Sequence, residues 1–251
     1  IFDENTKNHF SISLIDDEEY LNSKGKKYLK KYYKNAVELS QYGYTTYSLK
    51  DNNWIDLIST ARTKIEEYMF KEGISFENEN ENRFQDLWLH KGIKEVREIA
   101  CHKEIIELLS VIYGREAFPF QTLNFYKGSK QAIHSDAVHF NSIPNGFMCG
   151  VWVALEDIKE DSGPLVLYPE SHKLPYVIPK DFKITTEMIK QQKHPQKLFE
   201  DYWRDNIISK NFKRKYYIAN KGDILIWHAN LIHGGSKIQN PKSTRWSQVN
   251  H

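Results

Sequence analysis

His134 and Asp136 stand two residues apart in His134-Ser135-Asp136, His233 follows about a hundred positions later in a His-Gly-Gly run, and Arg245 lies beyond it. Two imidazoles and one carboxylate can occupy one face of an iron(II) ion and leave its other positions open to a co-substrate and O₂. A guanidinium at the end of the same pocket would take a carboxylate through two parallel hydrogen bonds, a geometry that lysine does not match. Such a residue suits the distal carboxylate of a dicarboxylate co-substrate. The pattern points to oxygen chemistry.

Each piece carries less weight alone than the set. If Gln131 to His134 is extended, residues two apart share a face, so His134 and Asp136 can converge on one ion while Ser135 faces away. With ten histidines in the chain, a His-x-Asp pair also arises readily by chance. His102-Lys103-Glu104 has the same look, but it falls in an amphipathic helix where residues two apart diverge, and it is read as surface chemistry. His233 sits where apolar Leu231-Ile232 give way to Gly234 and Gly235, which allow close approach of a bound ligand. His228 and His139 compete for the place of third ligand. The Gly-Gly context and Arg245 favour His233.

The elements that must hold these residues fall into two textures. The first is helical. Apolar and aromatic positions recur at helical spacing from Tyr20 to Leu39, with Gly43 marking the end; from Trp54 to Met69, stopping before Gly73; and from Ile93 to Tyr113, with Gly114 as C-cap. From Phe118 onward the chain turns to short strand candidates bounded by Gly, Pro, Asn or Asp: Phe120 to Tyr126, Gln131 to His134, Phe147 to Leu155, Pro164 to Tyr168, Lys215 to Ala219, Ile224 to His228 and Arg245 to Val249. Regular short strands suggest a barrel or jelly roll, the class that includes cupins. The expected fold is therefore α+β, with a double-stranded β-helix core flanked by N-terminal helices.

At 251 residues and 40% hydrophobic content the chain can bury a sizeable core, and it is read as one catalytic domain: a mainly helical part over 1–115 and the jelly-roll core over 116–251. A polar, lysine-rich interval at about 180–214 breaks the strand pattern and reads as an insertion, with helical turns at Glu187 to Lys190 and Phe199 to Trp203. Long excursions of this kind serve as lids or as plain solvated surface. The net charge of +2 favours neither nucleic acid nor an anionic membrane. Lys26 to Lys34 is explained by a helix with a solvated lysine face. No apolar run is long enough for a membrane span, and the first residues lack the pattern of a signal peptide, so a cytoplasmic protein is expected. The absence of an initiator Met suggests that the natural N-terminus lies upstream. Cys101 and Cys149 are too few for a disulfide framework and are read as buried free thiols.

Taken in order, Gln121-Thr-Leu-Asn124-Phe125, His134-Ser-Asp136, Trp152, Glu160-Asp-Ser-Gly-Pro-Leu165, Pro169-Glu-Ser-His172, His233-Gly-Gly and Arg245 resemble the phytanoyl-CoA dioxygenase family of Fe(II)/2-oxoglutarate oxygenases, in a bacterial branch. The resemblance runs from about Phe118 to the end, with a weaker echo at Gly43-Tyr44. It implies a jelly roll in which His134, Asp136 and His233 hold iron and Arg245 holds the distal carboxylate of 2-oxoglutarate. It also implies that Asn124 contacts the co-substrate and that Trp152 lines its pocket, with Gln121 and Ser236 as further cofactor-binding candidates. Relatives often carry a small hydroxyl residue two positions after the distal histidine, where this chain has Gly235. Halogenating members leave a small residue at the carboxylate position, so Asp136 favours hydroxylation.

The implied reaction is an iron- and O₂-dependent hydroxylation of an unactivated C–H bond, with 2-oxoglutarate converted to succinate and CO₂. The expected substrate is a small polar molecule such as a sugar, nucleotide sugar or glycan precursor, which His139, Asn141 and the lysines of the insertion would contact. The alternatives are a hydroxylase of an acyl thioester or amino-acid-derived metabolite, which predicts an apolar tunnel beside the iron, and a cupin-like binding module without turnover.

Overall fold

The computed structural model describes residues 12–75, 83–140, 142–191 and 196–251. Among the described residues, nine strands form two antiparallel sheets. The larger sheet has the order β1 (Tyr44–Tyr47), β7 (Ile224–His228), β4 (Cys149–Ala154), β9 (Ser247–Asn250), β3 (Thr122–Phe125) and β2 (Arg83–Gln85). The smaller has β6 (Lys215–Tyr217), β5 (Leu165–Leu167) and β8 (His233–Gly235). This is the expected cupin-like jelly roll with helices against it.

The central strands are buried along nearly their whole length, Cys149 at the start of β4 being half-buried, because each face meets a different layer. Side chains alternate across a strand. Val151, Val153, Ile224 and Ile226 therefore join the core shared with the helices, whereas Trp152, Ala154, Leu225 and Trp227 turn inward to meet Leu165, Leu167 and Tyr217 of the smaller sheet. The inward face is the one that can build a site.

The helices that back the large sheet are α1 (Tyr33–Tyr42), α2 (Trp54–Lys71), α3 (Lys94–Ala100) and α4 (Lys103–Tyr113). In α2 the buried positions Trp54, Ile58, Ala61, Ile65 and Met69 make a single apolar stripe, and the Trp54 indole donates to the Gly222 carbonyl at 2.9 Å beside the entry to β7. Gly43 and Gly114 adopt the left-handed conformation that ends α1 and α4, as their spacing predicts.

Several expectations are corrected. The segment expected as one helix from Ile93 to Tyr113 is two, broken at Cys101 and His102. Cys101 is consequently exposed and not buried. His102, read as surface chemistry, packs edge-on against Trp54 with its Nε2 3.3 Å from Asp51, so it is part of a helix junction. The first helix is also interrupted, passing through a π turn at Leu21–Gly25 and a 3₁₀ turn at Lys30–Tyr32 before α1. Within the insertion, a short helix at Thr186–Lys190 precedes α5 (Gln196–Ser209), longer than the sequence suggests. Phe199 and Trp203 of α5 pack with Leu174 and Ile232, fastening the insertion to the barrel mouth. Among the described residues no helix is long and apolar enough to cross a membrane.

Candidate active site

His134 does not lie in a regular strand. A lone antiparallel bridge joins it to His233, with reciprocal backbone bonds of 2.8 and 2.9 Å, so the two histidines sit face to face. Ser135 is extended and Asp136 opens a 3₁₀ turn. The extended link brings Asp136 round to the same side as His134, and Ser135 points the other way, donating to the Ala229 carbonyl at 3.0 Å. The two-residue spacing works as the sequence reading expects, although one residue of extension is all that it needs.

Three further motifs brace the ligands. The Ser171 hydroxyl accepts the Ile232 N–H at 2.8 Å, which anchors the entry to β8. The Asp161 carboxylate accepts from the Ser243 hydroxyl at 3.0 Å and its carbonyl from two amides of the turn before Arg245. Gly234 and Gly235 admit a close neighbour, but it is the protein's own loop: a Cβ on Gly235 would lie 2.8 Å from Lys130 N and Ser129 Oγ. That crowding explains why no hydroxyl residue stands at 235. The hydroxyl beside this wall of the cavity belongs to Ser129.

The ligand atoms of His134, Asp136 and His233 all lie within 4.8 Å of one another, and among the described residues this is the group that could hold a metal ion. Each imidazole donates its Nδ1–H to the carbonyl two residues back, His134 to Ala132 at 2.8 Å and His233 to Leu231 at 2.9 Å. That fixes the tautomer and leaves both Nε2 lone pairs pointing at Asp136 Oδ1, at 3.5 and 3.7 Å. Burial alone would raise the Asp136 carboxyl, but the neighbouring imidazoles outweigh it and hold the group well below the usual carboxylate range. Burial also pushes His233 down to about 4, so it is a neutral ligand at neutral pH. Anionic carboxylate and neutral imidazole are the forms that bind a divalent metal.

The cavity they face has a volume of about 490 Å³. Its inner wall carries Arg245, fully buried, with one Nη1–H directed at the Gly163 carbonyl at 3.3 Å and no carboxylate partner among the described residues. Desolvation lowers even this guanidinium to about 10. Arg245 Nε, Trp152 Nε1 and Gln121 Oε1 are all buried without a partner, and all three residues line this cavity. A buried cation with no carboxylate partner and an unpaired indole N–H near it is costly unless an anion completes both donors, while the Gln121 carbonyl oxygen would need a donor instead. The donor set therefore fits a divalent metal held by three side chains and a dicarboxylate beside it.

The structure brings His134, Asp136, His233, Arg245, Trp152, Gln121 and His139 to this cavity. It turns Asn124 away. Pairing with β9 directs Leu123 and Phe125 inward, so Asn124 faces the helices, where its amide donates to Gln248 at 3.1 Å and Gln248 donates to the Val96 carbonyl. The expected co-substrate contact is thus replaced by a packing role. Ser236 is likewise outside the cavity, its hydroxyl donating to Pro164 O at 2.8 Å. Asn141 lies outside the described residues. His228, the rival third ligand, points the other way, its Nε2 3.4 Å from Asp16.

Two residues near the ligands escape the sequence reading. Trp227 Nε1 donates to Asp136 Oδ2 at 2.7 Å, and His251 Nε2 lies 3.6 Å from the same oxygen. A tryptophan in an apolar strand reads as core, and nothing near His251 marks it out. The rim adds Arg83 and Gln85 from β2 and Gln196 and Glu200 from α5, so the insertion does reach the site.

Comparison with known proteins agrees with this geometry. The family profile described as phytanoyl-CoA dioxygenase (PhyH) matches residues 52–246. The bovine peroxisomal phytanoyl-CoA dioxygenase is 30% identical over 111 residues, 44% of this chain and 30% of that protein. The zebrafish (Danio rerio) phytanoyl-CoA dioxygenase domain-containing protein 1 is 28% identical over 136 residues, 53% of this chain and 41% of its own. The chain thus spans less than half the length of these curated relatives. Among solved structures, the epimerase SnoN from nogalamycin biosynthesis, in complex with Fe3+, alpha ketoglutarate and nogalamycin RO, superposes with a TM-score of 0.58 at 18% identity, covering 88% of this chain and 82% of that one. EctD from S. alaskensis, with 2-oxoglutarate and 5-hydroxyectoine, gives 0.60 at 15% identity, covering 86% and 74%.

Proposed function

Given that the chain belongs to the phytanoyl-CoA dioxygenase family, we propose that it is an Fe(II)/2-oxoglutarate-dependent oxygenase that hydroxylates an unactivated C–H bond of a small polar molecule such as a sugar, nucleotide sugar or glycan precursor. The observation that carries the oxygenase reading is the convergence of two tautomer-locked imidazoles and Asp136 on one point of a cavity whose inner wall is an unpaired, buried guanidinium. His134, Asp136 and His233 would hold the iron, and Arg245 the distal carboxylate of 2-oxoglutarate. Bound iron would supply the oxidation of a C–H bond by O₂ while 2-oxoglutarate is decarboxylated to succinate.

The chain's own residues do the rest. Arg245 orients the co-substrate, Trp152 and Phe125 close the space around it, and the neutral His233 and anionic Asp136 need move no proton to ligate. A polar substrate is supported by the rim, where Arg83, Gln85, Gln131, His139, Gln196 and Glu200 offer donors and acceptors around the opening. The acyl reading keeps a place because of one feature. A second, apolar cavity of about 550 Å³, lined by Leu109, Phe118, Phe120 and Phe147 among others, shares His139, Phe140 and His251 with the first.

The test is anaerobic loading with Fe(II) and 2-oxoglutarate, then O₂ with panels of hydroxylated sugars and of acyl thioesters, following succinate. Substrate-stimulated succinate from the sugar panel that is absent in His134→Ala is expected. Stimulation by acyl thioesters alone would replace the polar reading. Failure to bind either iron or 2-oxoglutarate would overturn the oxygenase, and binding of both with no succinate from any substrate would leave a non-catalytic module.

A further inference from the structure

Asp136 has two oxygens and only one of them faces the histidines. Oδ1 lies 3.5 and 3.7 Å from the two Nε2 atoms, while Oδ2 accepts the buried Trp227 N–H at 2.7 Å. The indole makes the short contact to Oδ2, with His251 Nε2 farther off at 3.6 Å from the same oxygen, so its N–H engages Oδ2 and leaves Oδ1 to the two ligand histidines. The same ring packs 4.7 Å from the ring of His233. One side chain therefore touches two of the three ligands.

How the indole gets there is decided on the neighbouring strand. Trp227 pairs directly with Gly150 across β7 and β4. A Cβ on Gly150 would fall inside the indole, overlapping Cε2 and Cζ2 and lying 2.6 Å from Nε1 itself. The ring lies flat where any other residue would put its side chain. Gly150 is not in a left-handed conformation, so backbone freedom does not explain it; the space does.

We propose that Trp227 is a positioning residue for the metal site, that its N–H holds Asp136 as a one-oxygen ligand, and that Gly150 is the residue whose missing side chain allows it. The inference rests on the iron reading above and adds a dependence on two residues outside the ligand set. Outer partners of metal ligands typically contribute ~10–100-fold to metal affinity, and that is the size of effect expected.

Cobalt(II), which resists air oxidation, serves as the probe, titrated into the metal-free full chain by calorimetry and by its visible absorption. Trp227→Phe keeps a flat ring and removes the N–H. It should weaken Co(II) binding ~10–100-fold and alter the absorption envelope, with secondary structure by circular dichroism retained. Gly150→Ala keeps the indole and displaces it, and should weaken binding in the same direction. The double variant should bind no more weakly than Trp227→Phe alone, because both changes break one contact. Parent-like Co(II) binding by either folded single variant overturns the proposal. Fully additive losses would overturn the link between Gly150 and the indole. A parent chain that takes up no Co(II) overturns the iron reading and this one together, whereas a parent that binds and a Trp227→Phe variant that binds equally well sinks only the positioning role.

Discussion

Two groups of two histidines and one aspartate stand on either side of one strand, and among the described residues one of them, not the other, could hold a metal ion. His134, Asp136 and His233 surround a cavity of about 490 Å³. Asp16, His172 and His228 sit on the other side of β7, beneath the turn that carries Gly43. There the ring nitrogens face the fold and not a cavity: His172 Nε2 donates to the Ser40 carbonyl at 3.0 Å, His228 Nδ1 accepts the Asn230 N–H at 3.0 Å, and His228 Nε2 lies 3.4 Å from Asp16 Oδ1. His172 Nδ1 is pressed against Gly43, where a Cβ would lie only 2.5 Å away. Composition is the same in the two groups. What differs is which nitrogen keeps a lone pair and where it faces: in the first group both Nδ1–H groups donate to the chain's own carbonyls and leave two Nε2 lone pairs aimed at one point, whereas His228 Nδ1 accepts a backbone N–H and so carries its proton on Nε2, toward Asp16, and the His172 lone pair on Nδ1 is closed off against Gly43.

Crossing the two aspartates breaks that comparison most sharply. Asp136→Asn removes a charge from the ligand set while keeping an acceptor for the Trp227 indole. Metal affinity should fall by more than the ~10–100-fold that loss of an outer partner costs, with little change in melting temperature. Asp16→Asn should leave metal affinity where it was and lower stability by no more than about 1 kcal/mol, since Asp16 is partly exposed and such pairs contribute little. Parallel metal titrations and thermal melts of the two variants check both halves. Equal metal loss from both would mean that the groups are not functionally distinct.

This contrast also marks how far the sequence is legible. His134, Asp136, His233 and Arg245 can be picked out because rare residue types recur in a fixed order, and the jelly roll follows from short strands broken by turn residues. The helix ends at Gly43 and Gly114 are legible because a left-handed cap leaves a residue signature. What fails depends on pairing. Asn124 faces the helices because β3 pairs with β9 in one register, and a slip of one residue would have turned it inward. Trp227 and Gly150 are neighbours only across β7 and β4, so neither residue advertises the contact. The edge strands β1 and β2 are too short, at four and three residues, to show a period of their own. His251 lies beside Asp136 through tertiary packing alone.

Arg245 sharpens the same contrast from the anion side. A structural cation would be paired with carboxylates, as Arg62 is with Glu66 and Glu156, whereas the Arg245 guanidinium is buried with one carbonyl and the Phe125 ring beside it and no carboxylate among the described residues. Arg245→Met should therefore move two quantities in opposite directions. 2-Oxoglutarate binding to the metal-loaded chain should weaken by about 2 kcal/mol or more, roughly 30-fold in Kd, the scale of losing one partner of a buried charge pair. The melting temperature without ligand should rise, because an uncompensated buried charge is replaced by an apolar side chain of similar length. A fall in stability with unchanged 2-oxoglutarate affinity would make Arg245 a structural residue.

The smallest effect separates the second group by its response to acid. Burial, with His228 and Lys173 adding repulsion and Ser40 and Asp16 opposing it, pushes His172 down to about 4 from an ordinary value near 6.5. Between those values the unfolded chain binds a proton at this position and the folded chain does not, so stability must fall as pH drops below about 6.5 and go on falling toward 4. One proton gives a slope of at most about 1.4 kcal/mol per pH unit, which amounts to about 1 kcal/mol between pH 6.5 and 5.5. His172→Gln keeps a side-chain N–H for the Ser40 carbonyl and cannot titrate. Denaturant melts across that interval should show the variant losing less stability than the parent by about that amount, while its metal affinity at neutral pH stays the same. Parallel acid limbs for parent and variant would mean that the packing around Gly43 opens to let His172 take up its proton in the folded chain.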